Sequence, residues 1–189
     1  MTKELVDYIR CYDNVIDNSF CREIIDTFKY DTINQERVEE LKKPSLTQLN
    51  ITAQAIKGNE KWSDIQVKIQ KIFLDYVNQY ISEVDILQDL PKRYTFEQCR
   101  IKRYTKKTDE FLDHVDILDY NSARRFITCF LYLNTVPDGG NTVFPRLDFS
   151  VSPVCGRLLI FPCNWMYRHA GKATVALDKY IIGTHLHYL

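Results

Sequence analysis

The sequence predicts a mainly β protein with some α-helix (α+β), in which N-terminal helices support a β core. Two observations indicate this fold class. After residue 92, short β-rich segments alternate with turn residues, a pattern typical of a sandwich, a barrel or a jelly roll. Before residue 92, two segments show helical periodicity, and no helical pattern interrupts the later strands, which argues against a βαβ architecture.

The length of 189 residues allows one well-buried core and is short for two. We therefore expect a single domain, with an α-rich supporting region over residues 1–95 and a β core over residues 96–189. Residues 1–17 predict an extended lead-in. The polar and charged stretch 30–48, which contains the pair Lys42-Lys43, predicts loops at a solvated surface.

Two helices are predicted in the first half of the chain. Ser19 is a suitable N-cap for the first helix. Ser63 and Gln66 have the spacing of a capping box, which predicts that the second helix begins there and ends near Glu83. The apolar faces are formed by Phe20, Ile24, Ile25 and Phe28 in the first helix, and by Ile65, Ile69, Ile72, Phe73, Tyr76 and Tyr80 in the second.

Four β-rich segments are predicted in the second half of the chain. The clearest turn between them is Pro137-Asp-Gly-Gly140, which favours a connection between two neighbouring strands. The segments cover about residues 96–104, 125–134, 157–162 and 179–188.

Composition excludes some classes of function. The chain has 25 basic and 25 acidic residues, so no net charge favours binding to nucleic acid or to a membrane surface. No apolar run approaches the roughly 20 residues that a membrane span needs. The six cysteines form no CxxC pair or disulfide framework, and we see no signal peptide, so we expect a cytoplasmic protein with reduced, structural thiols.

The segment His114-Val115-Asp116 is the first indication of a chemical site. In an extended segment, residues two apart point to the same side, so the imidazole and the carboxylate project together. His169, which follows the apolar residues 158–161, is a natural third member from a distant strand. Two histidines and one carboxylate form the facial triad of non-haem Fe(II) oxygenases. His-x-Asp is also common by chance, as a turn aspartate beside a surface histidine.

Lys179 follows His169 by ten residues and begins the last predicted strand. A lysine aimed into the core would need an anionic partner to offset its desolvation, and the carboxylate of a ligand could supply one.

The order of these segments resembles the prolyl 4-hydroxylase-like branch of the Fe(II)/2-oxoglutarate-dependent dioxygenases. The resemblance covers roughly residues 96–189, and the first half of the chain only loosely. It rests on His114-Val-Asp116, Arg125-Phe-Ile-Thr-Cys-Phe-Leu-Tyr-Leu-Asn134, Gly139-Gly-Asn-Thr-Val-Phe-Pro145, Gly156-Arg-Leu-Leu-Ile-Phe-Pro162, and His169 with Lys179.

The resemblance implies a double-stranded β-helix (jelly roll) with iron at one end. By position, His114, Asp116 and His169 would bind the metal, and Lys179 would pair with the distal carboxylate of 2-oxoglutarate. Tyr132 would donate a hydrogen bond to the same carboxylate.

Three further residues belong to the site by position. Tyr104 matches a second tyrosine of the cosubstrate pocket, although Tyr104 and Tyr132 could both be ordinary core tyrosines. Thr128 has the same strand parity as Tyr132 and should face inward. Arg125 would meet substrate or succinate, or form an exterior salt bridge.

The last strand departs from the family. Where members often have a tryptophan, this chain has Gly183, His185 and His187. His185 shares the parity of Lys179, so it is either a substrate contact or a core histidine, and we prefer the core interpretation.

The resemblance implies a hydroxylase that uses Fe(II), 2-oxoglutarate and dioxygen, with ascorbate as a candidate additional cofactor, and releases succinate and CO₂. A prolyl residue of a peptide or protein, held by loops 105–113 and 116–124, is the expected substrate. Hydroxylation of a small molecule or a nucleobase, a non-catalytic jelly-roll binding module, and a zinc or manganese isomerase remain alternatives. The isomerase would not need Lys179.

Overall fold

The computed structural model describes residues 3–39 and 44–189. Within these residues, two antiparallel β-sheets face each other as in a jelly roll, and three α-helices pack on the outer side of the larger sheet. The predicted combination of a β core and supporting helices is therefore confirmed. The α-helices are α1 (Asn18–Tyr30), α2 (Ile51–Ile56) and α3 (Glu60–Glu83).

Both predicted helices exist, but both predicted caps are wrong. Helix α1 is capped by Asp17, whose carboxylate accepts a hydrogen bond of 2.8 Å from the backbone N–H of Phe20. Helix α3 is capped by Asn59 and begins three residues before the predicted Ser63. The Ser63 hydroxyl lies inside the helix and donates to the Asn59 carbonyl at 2.9 Å. In each case an Asp or Asn a few residues upstream satisfies the first free N–H groups instead.

The polar stretch after α1 forms a hairpin where loops were predicted. Strand β2 (Glu36–Glu39) pairs with β3 (Ser45–Asn50) at the edge of the larger sheet. The loop prediction is wrong there because β3 also pairs with a strand of the second half and buries Leu46 and Leu49. The charged residues 40–43 lie outside the described residues.

The larger sheet has eight strands and includes the first four strands of the chain. The last strand lies next to three others and spans the predicted 179–188. The order is β1 (Arg10–Tyr12), β10 (Leu158–Pro162), β7 (Arg125–Tyr132), β12 (Lys179–Tyr188), β5 (Arg100–Tyr104), β3 and β2, with β4 (Tyr94–Phe96) paired to β12.

The smaller sheet has four strands, which the sequence did not predict. The turn at Pro137-Asp-Gly-Gly140 connects β7 of the large sheet to this sheet, so the prediction that it joins two neighbouring strands is wrong. Gly139 has φ +75°, and a Cβ there would lie 2.5 Å from the Ala173 carbonyl oxygen, so the turn requires glycine. The order is β6 (Phe111–His114), β11 (His169–Gly171), β8 (Thr142–Phe144) and β9 (Phe149–Val151).

The large sheet is buried on both faces. Ile182 packs with Phe28 of α1 and Phe73 of α3 in a core beneath the helices. Its neighbour Ile181 points the other way and packs with Phe144 between the two sheets. Burial on both faces explains the apolar runs in β7 and β10, which do not alternate with polar residues.

The short 3₁₀ turns are Leu5–Tyr8, Thr32–Asn34, Leu87–Asp89, Ser122–Arg124 and Trp165–Tyr167.

All six cysteines are free thiols, and four of them are buried. Burial raises the pKa of the Cys99 thiol to about 11, which keeps it protonated and unreactive near neutral pH. Among residues 3–39 and 44–189, no helix has both the length and the apolar character needed to cross a bilayer.

Candidate active site

His114, Asp116 and His169 come together between the two sheets, as their order in the sequence predicted. Strands β6 and β11 pair in a register that sets His169 opposite His114, and Asp116 follows β6 directly. One ligand atom of each residue lies within 4.8 Å of the others. The Oδ1 atom of Asp116 is 3.6 Å from His114 Nε2 and 3.9 Å from His169 Nε2. The three side chains therefore form a compact group with the donor set of a metal site, which we call the metal group.

Both imidazoles are oriented by backbone carbonyls. His114 Nδ1 donates to the Leu112 carbonyl at 2.8 Å, and His169 Nδ1 donates to the Tyr167 carbonyl at 3.1 Å. This leaves each Nε2 as the free acceptor nitrogen, the usual arrangement for a metal-binding histidine. His169 Nε2 is buried without a hydrogen-bond partner, so an ion would satisfy it. The residues present thus fit a divalent metal.

The charge states also suit a metal. Burial lowers the pKa of His169 to about 4, although Asp116 attracts the charged form, so the imidazole is neutral at pH 7. Burial alone would raise the pKa of Asp116, but the contacts with His169, His114 and His185 hold it well below its usual range. A neutral imidazole and a carboxylate are ligands that suit Fe(II).

A second layer of contacts holds the Asp116 carboxylate. The Thr128 hydroxyl of β7 donates to Asp116 Oδ2 at 2.6 Å, and His185 Nε2 lies 3.6 Å from the same oxygen. His185 Nδ1 in turn lies 3.5 Å from Glu97 Oε2. Oδ2 is therefore occupied by protein groups, and Oδ1 faces the two histidines. The preferred interpretation of His185 as a core histidine does not match this position, because His185 lines the site.

Lys179 lies at the closed end of an inner cavity that the metal group also lines. Its side chain is only 2% exposed, and its ammonium donates to the Gly140 carbonyl at 2.8 Å. The ammonium also lies 4.6 Å from the centre of the Tyr104 ring. Burial lowers the pKa of Lys179 to about 7. The inner cavity is lined by Lys102, Tyr104, Phe111, His114, Asp116, Phe130, Thr142, His169, Gly171, Lys179, Ile181 and His185.

The two tyrosines differ in their relation to this cavity. Tyr104 lines it and packs on Lys179, which agrees with the predicted position. Tyr132 is fully buried beside the cavity, and its hydroxyl donates to the Thr142 hydroxyl at 2.7 Å. Thr142, which the sequence did not single out, is the residue that lines the cavity there. The hydrogen bond from Tyr132 to a cosubstrate stays a prediction.

An outer groove of about 600 Å³ opens on the other side of the metal group. Arg125 lines the groove and forms a two-pronged salt bridge with Glu97 at 2.7 and 2.9 Å. Arg125 also donates to the Asp116 carbonyl at 3.1 Å. Its salt bridge therefore lies within the groove and is not an exterior one, and its contact with substrate or succinate stays a prediction. The predicted loop 116–124 lines much of the groove, whereas Phe111 is the lining residue from loop 105–113.

The sequence did not identify Glu97 or Lys102 as site residues. Glu97 reaches the site through pairing with Arg125 and His185, which no local pattern indicates. The sequence did contain a signal for Lys102. It lies two residues before Tyr104 on the same strand, so its side chain must face the same side as that of Tyr104. Both residues line the groove, and Lys102 also lines the inner cavity.

Comparison with known proteins supports this chemistry. Residues 99–187 match the model of the 2OG-Fe(II) oxygenase superfamily. A collagen prolyl hydroxylase of Paramecium bursaria Chlorella virus-1, solved as its 2-oxoglutarate complex, superposes with a TM-score of 0.72 at 21% identity, over 96% of this chain and 97% of that one. No curated protein sequence matches the chain.

Two further solved structures have the same fold. A Trichoplax adhaerens prolyl hydroxylase, in complex with a hypoxia-inducible factor peptide, gives a TM-score of 0.71 at 17% identity, over 96% of this chain and 84% of that one. A Pseudomonas putida prolyl 4-hydroxylase gives 0.70 at 16% identity, over 97% and 94%.

The matched segment contains the complete metal group and Lys179. Fe(II) and 2-oxoglutarate are accordingly the cofactor and the cosubstrate that this site is built to use. Residues 99–187 match the 2OG-Fe(II) oxygenase model, which supports an enzyme of that kind, and the chain has the fold of the solved prolyl hydroxylases.

Proposed function

We propose that the protein hydroxylates a prolyl residue of a peptide or protein, with conversion of 2-oxoglutarate to succinate and CO₂. One observation carries the proposal. The metal group lies where two cavities meet, an inner one that ends at Lys179 and an outer groove that can admit a chain. The cosubstrate and the substrate can therefore approach the same ion from two sides.

We assign the following roles to the chain's own residues. His114 and His169 hold the metal through Nε2, and Asp116 holds it through Oδ1. Lys179 binds the distal carboxylate of 2-oxoglutarate, and the ring of Tyr104 packs against its ammonium. Fe(II) bound here would supply the oxidative chemistry that inserts one atom of dioxygen into a C–H bond and the other into succinate.

The remaining site residues position these groups. Thr128 fixes the Asp116 carboxylate, and Arg125 holds the backbone carbonyl of the same residue. A hydrogen bond from Tyr132 to the distal carboxylate would require its hydroxyl to turn away from Thr142, which lines the cavity. Buried side chains around the inner cavity limit the access of water to the cosubstrate, namely Tyr104, Phe130, Thr142, His169 and Ile181.

The choice of a prolyl substrate rests on the fold and on the shape of the groove. All three structures described above are prolyl hydroxylases, and one was solved with a peptide. The groove lies at the surface beside loop 116–124, which suits a peptide better than an enclosed small molecule. The balanced net charge does not favour a nucleic acid substrate.

The test is an assay with purified protein, Fe(II), 2-oxoglutarate and proline-containing peptides. We expect release of succinate that depends on the peptide, and a gain of one oxygen atom in the peptide mass. Peptides with alanine in place of proline, and the variant His169→Ala, are the controls. Turnover of free proline or of damaged single-stranded DNA, with none of the peptides, would refute the peptide substrate. Absence of any 2-oxoglutarate decarboxylation would refute the chemistry.

A further inference from the structure

Lys102 is a second lysine in the site, and none of the roles above uses it. It lies on β5 with its side chain on the same face as Tyr104, and it lines both the inner cavity and the outer groove. Its ammonium lies 3.7 Å from the position that a Cβ on Gly183 would occupy, so the absence of a side chain at Gly183 leaves room for it. The described residues offer it no hydrogen bond or salt bridge.

The charges around Lys102 are already engaged with other groups. The anions whose charges act on Lys102 are Asp116 and Glu97. Asp116 belongs to the metal group, and Glu97 is bound by Arg125 and faces His185. Arg100, two residues earlier on the same face of β5, adds positive charge. Burial lowers the pKa of Lys102 to about 8, so it is still charged at pH 7.

Lys102 would still lack an anionic partner with a metal ion and 2-oxoglutarate bound in the site. A ferrous ion and Lys179 together carry three positive charges, and Asp116 and dianionic 2-oxoglutarate carry three negative ones. The ion's own charge has to be counted in such a site. These groups therefore neutralise one another, and the charge of Lys102 remains without compensation at the place where the substrate enters. A half-buried cation of this kind is favourable only with an anionic partner.

We propose that Lys102 binds a carboxylate of the substrate, next to the residue that is hydroxylated. The proposal rests on the proposed function, because it concerns the substrate of that site. Since Lys102 lines both cavities at the metal group, the carboxylate belongs to the reacting residue or to an adjacent one. Two parts of a peptide can supply this carboxylate. One is an acidic side chain beside the proline, and the other is the free C-terminal carboxylate of a terminal proline.

The experiment uses four peptides of equal length. Two contain an internal proline next to glutamate or next to glutamine, and two end in proline as the free acid or as the amide. Peptide dissociation constants are measured with Mn(II) and 2-oxoglutarate bound and without oxygen, and KM and kcat are measured with Fe(II). The variants are Lys102→Met, Lys102→Arg, and Arg103→Gln as a control that removes one charge from the opposite face of the same strand.

The wild type should bind one acidic peptide at least tenfold more tightly than its neutral partner (about 1.4 kcal/mol), because a hydrogen bond to a charged group is stronger than one between neutral groups. Lys102→Met should lose this preference through weaker binding of the acid alone. Lys102→Arg should keep part of it, and Arg103→Gln should keep all of it. The glutamate pair and the terminal pair identify which source of carboxylate is used.

Three outcomes would overturn the inference. A wild type that hydroxylates acidic and neutral peptides equally well contradicts the role of Lys102 and leaves the prolyl hydroxylase intact. A Lys102→Met protein that keeps the preference for the acidic peptide would show that Lys102 does not bind the substrate carboxylate. A Lys102→Met protein that binds 2-oxoglutarate more weakly, with unchanged binding of the peptide, would assign the ammonium to the cosubstrate. A wild type that decarboxylates 2-oxoglutarate but accepts none of the peptides contradicts the substrate proposal and this inference together.

Discussion

The Thr128 hydroxyl donates a hydrogen bond of 2.6 Å to Asp116 Oδ2 and so holds the carboxylate with its other oxygen toward His114 and His169. Thr128→Val should weaken Fe(II) or Mn(II) binding by about 10–100-fold, the usual effect of removing a group that orients a metal ligand. Thr128→Ser keeps the hydroxyl and should retain most of the affinity. Metal titration of the three proteins checks this, and equal affinities would show that Thr128 does not position the carboxylate.

The metal group itself can be tested by removing one imidazole at a time. His114→Ala and His169→Ala should each lose more than about 100-fold in metal affinity, since direct ligands matter more than the groups that orient them. The fold should persist, because both side chains line a cavity. His187→Ala, outside the group, is the matched control. Near wild-type iron-dependent turnover in His169→Ala would show that the assignment is wrong.

Lys179 should control the affinity for 2-oxoglutarate. Loss of one partner from a buried ion pair costs about 3–5 kcal/mol. Lys179→Met should therefore raise the 2-oxoglutarate dissociation constant by about two to three orders of magnitude, with metal binding unchanged. Lys179→Arg should recover part of the affinity through its charge. Titration of 2-oxoglutarate into the Mn(II)-loaded proteins decides this, and an unchanged constant in Lys179→Met would remove the cosubstrate role.

Lys179 should also make the stability of the cosubstrate-free protein depend on pH. Its pKa is about 7 in the folded protein against an ordinary value of 10.5, so between these pH values the unfolded chain binds more protons. The stability contribution of Lys179 therefore rises with pH across that window, by at most about 1.4 kcal/mol per pH unit. Urea unfolding from pH 6 to 9 should show that the stability advantage of Lys179→Met over wild type shrinks with pH. A difference in stability between the two proteins that stays constant with pH would contradict a buried Lys179 without an anionic partner.

The cysteines should remain reduced and should not support the fold through disulfides. All six are free, and four are buried. A thiol titration of protein denatured without reductant should count six free thiols, and reductant should leave the melting temperature unchanged. A shortfall of two thiols together with a reductant-sensitive melting temperature would reveal a disulfide.

Local patterns predicted the elements that carry strong signals. The last strand begins at Lys179 and ends at Tyr188, as expected from its apolar run, and α3 ends at Glu83. The start of α3 was misplaced because two overlapping cap patterns, at Asn59 and at Ser63, compete over four residues. The hairpin of β2 and β3 was missed because β2 is polar at the solvent-exposed edge of the sheet, and because Ser45 and Thr47 of β3 are polar residues that only pairing with β2 and β5 buries.

The spacing of His114 and Asp116, with His169 from a distant strand, indicated a metal site, because alternation along a strand determines which side chains share a face. The role of Lys179 toward 2-oxoglutarate came from the resemblance to the dioxygenases. Only the tertiary structure decided how these residues are held. The pairing of His114 with His169, the contact of His185 with Asp116 and Glu97, and the hydrogen bond of Tyr132 to Thr142 depend on strand register and on which sheet each strand joins. The unpaired position of Lys102 likewise depends on three strands meeting at one cavity, which no local segment of the sequence encodes.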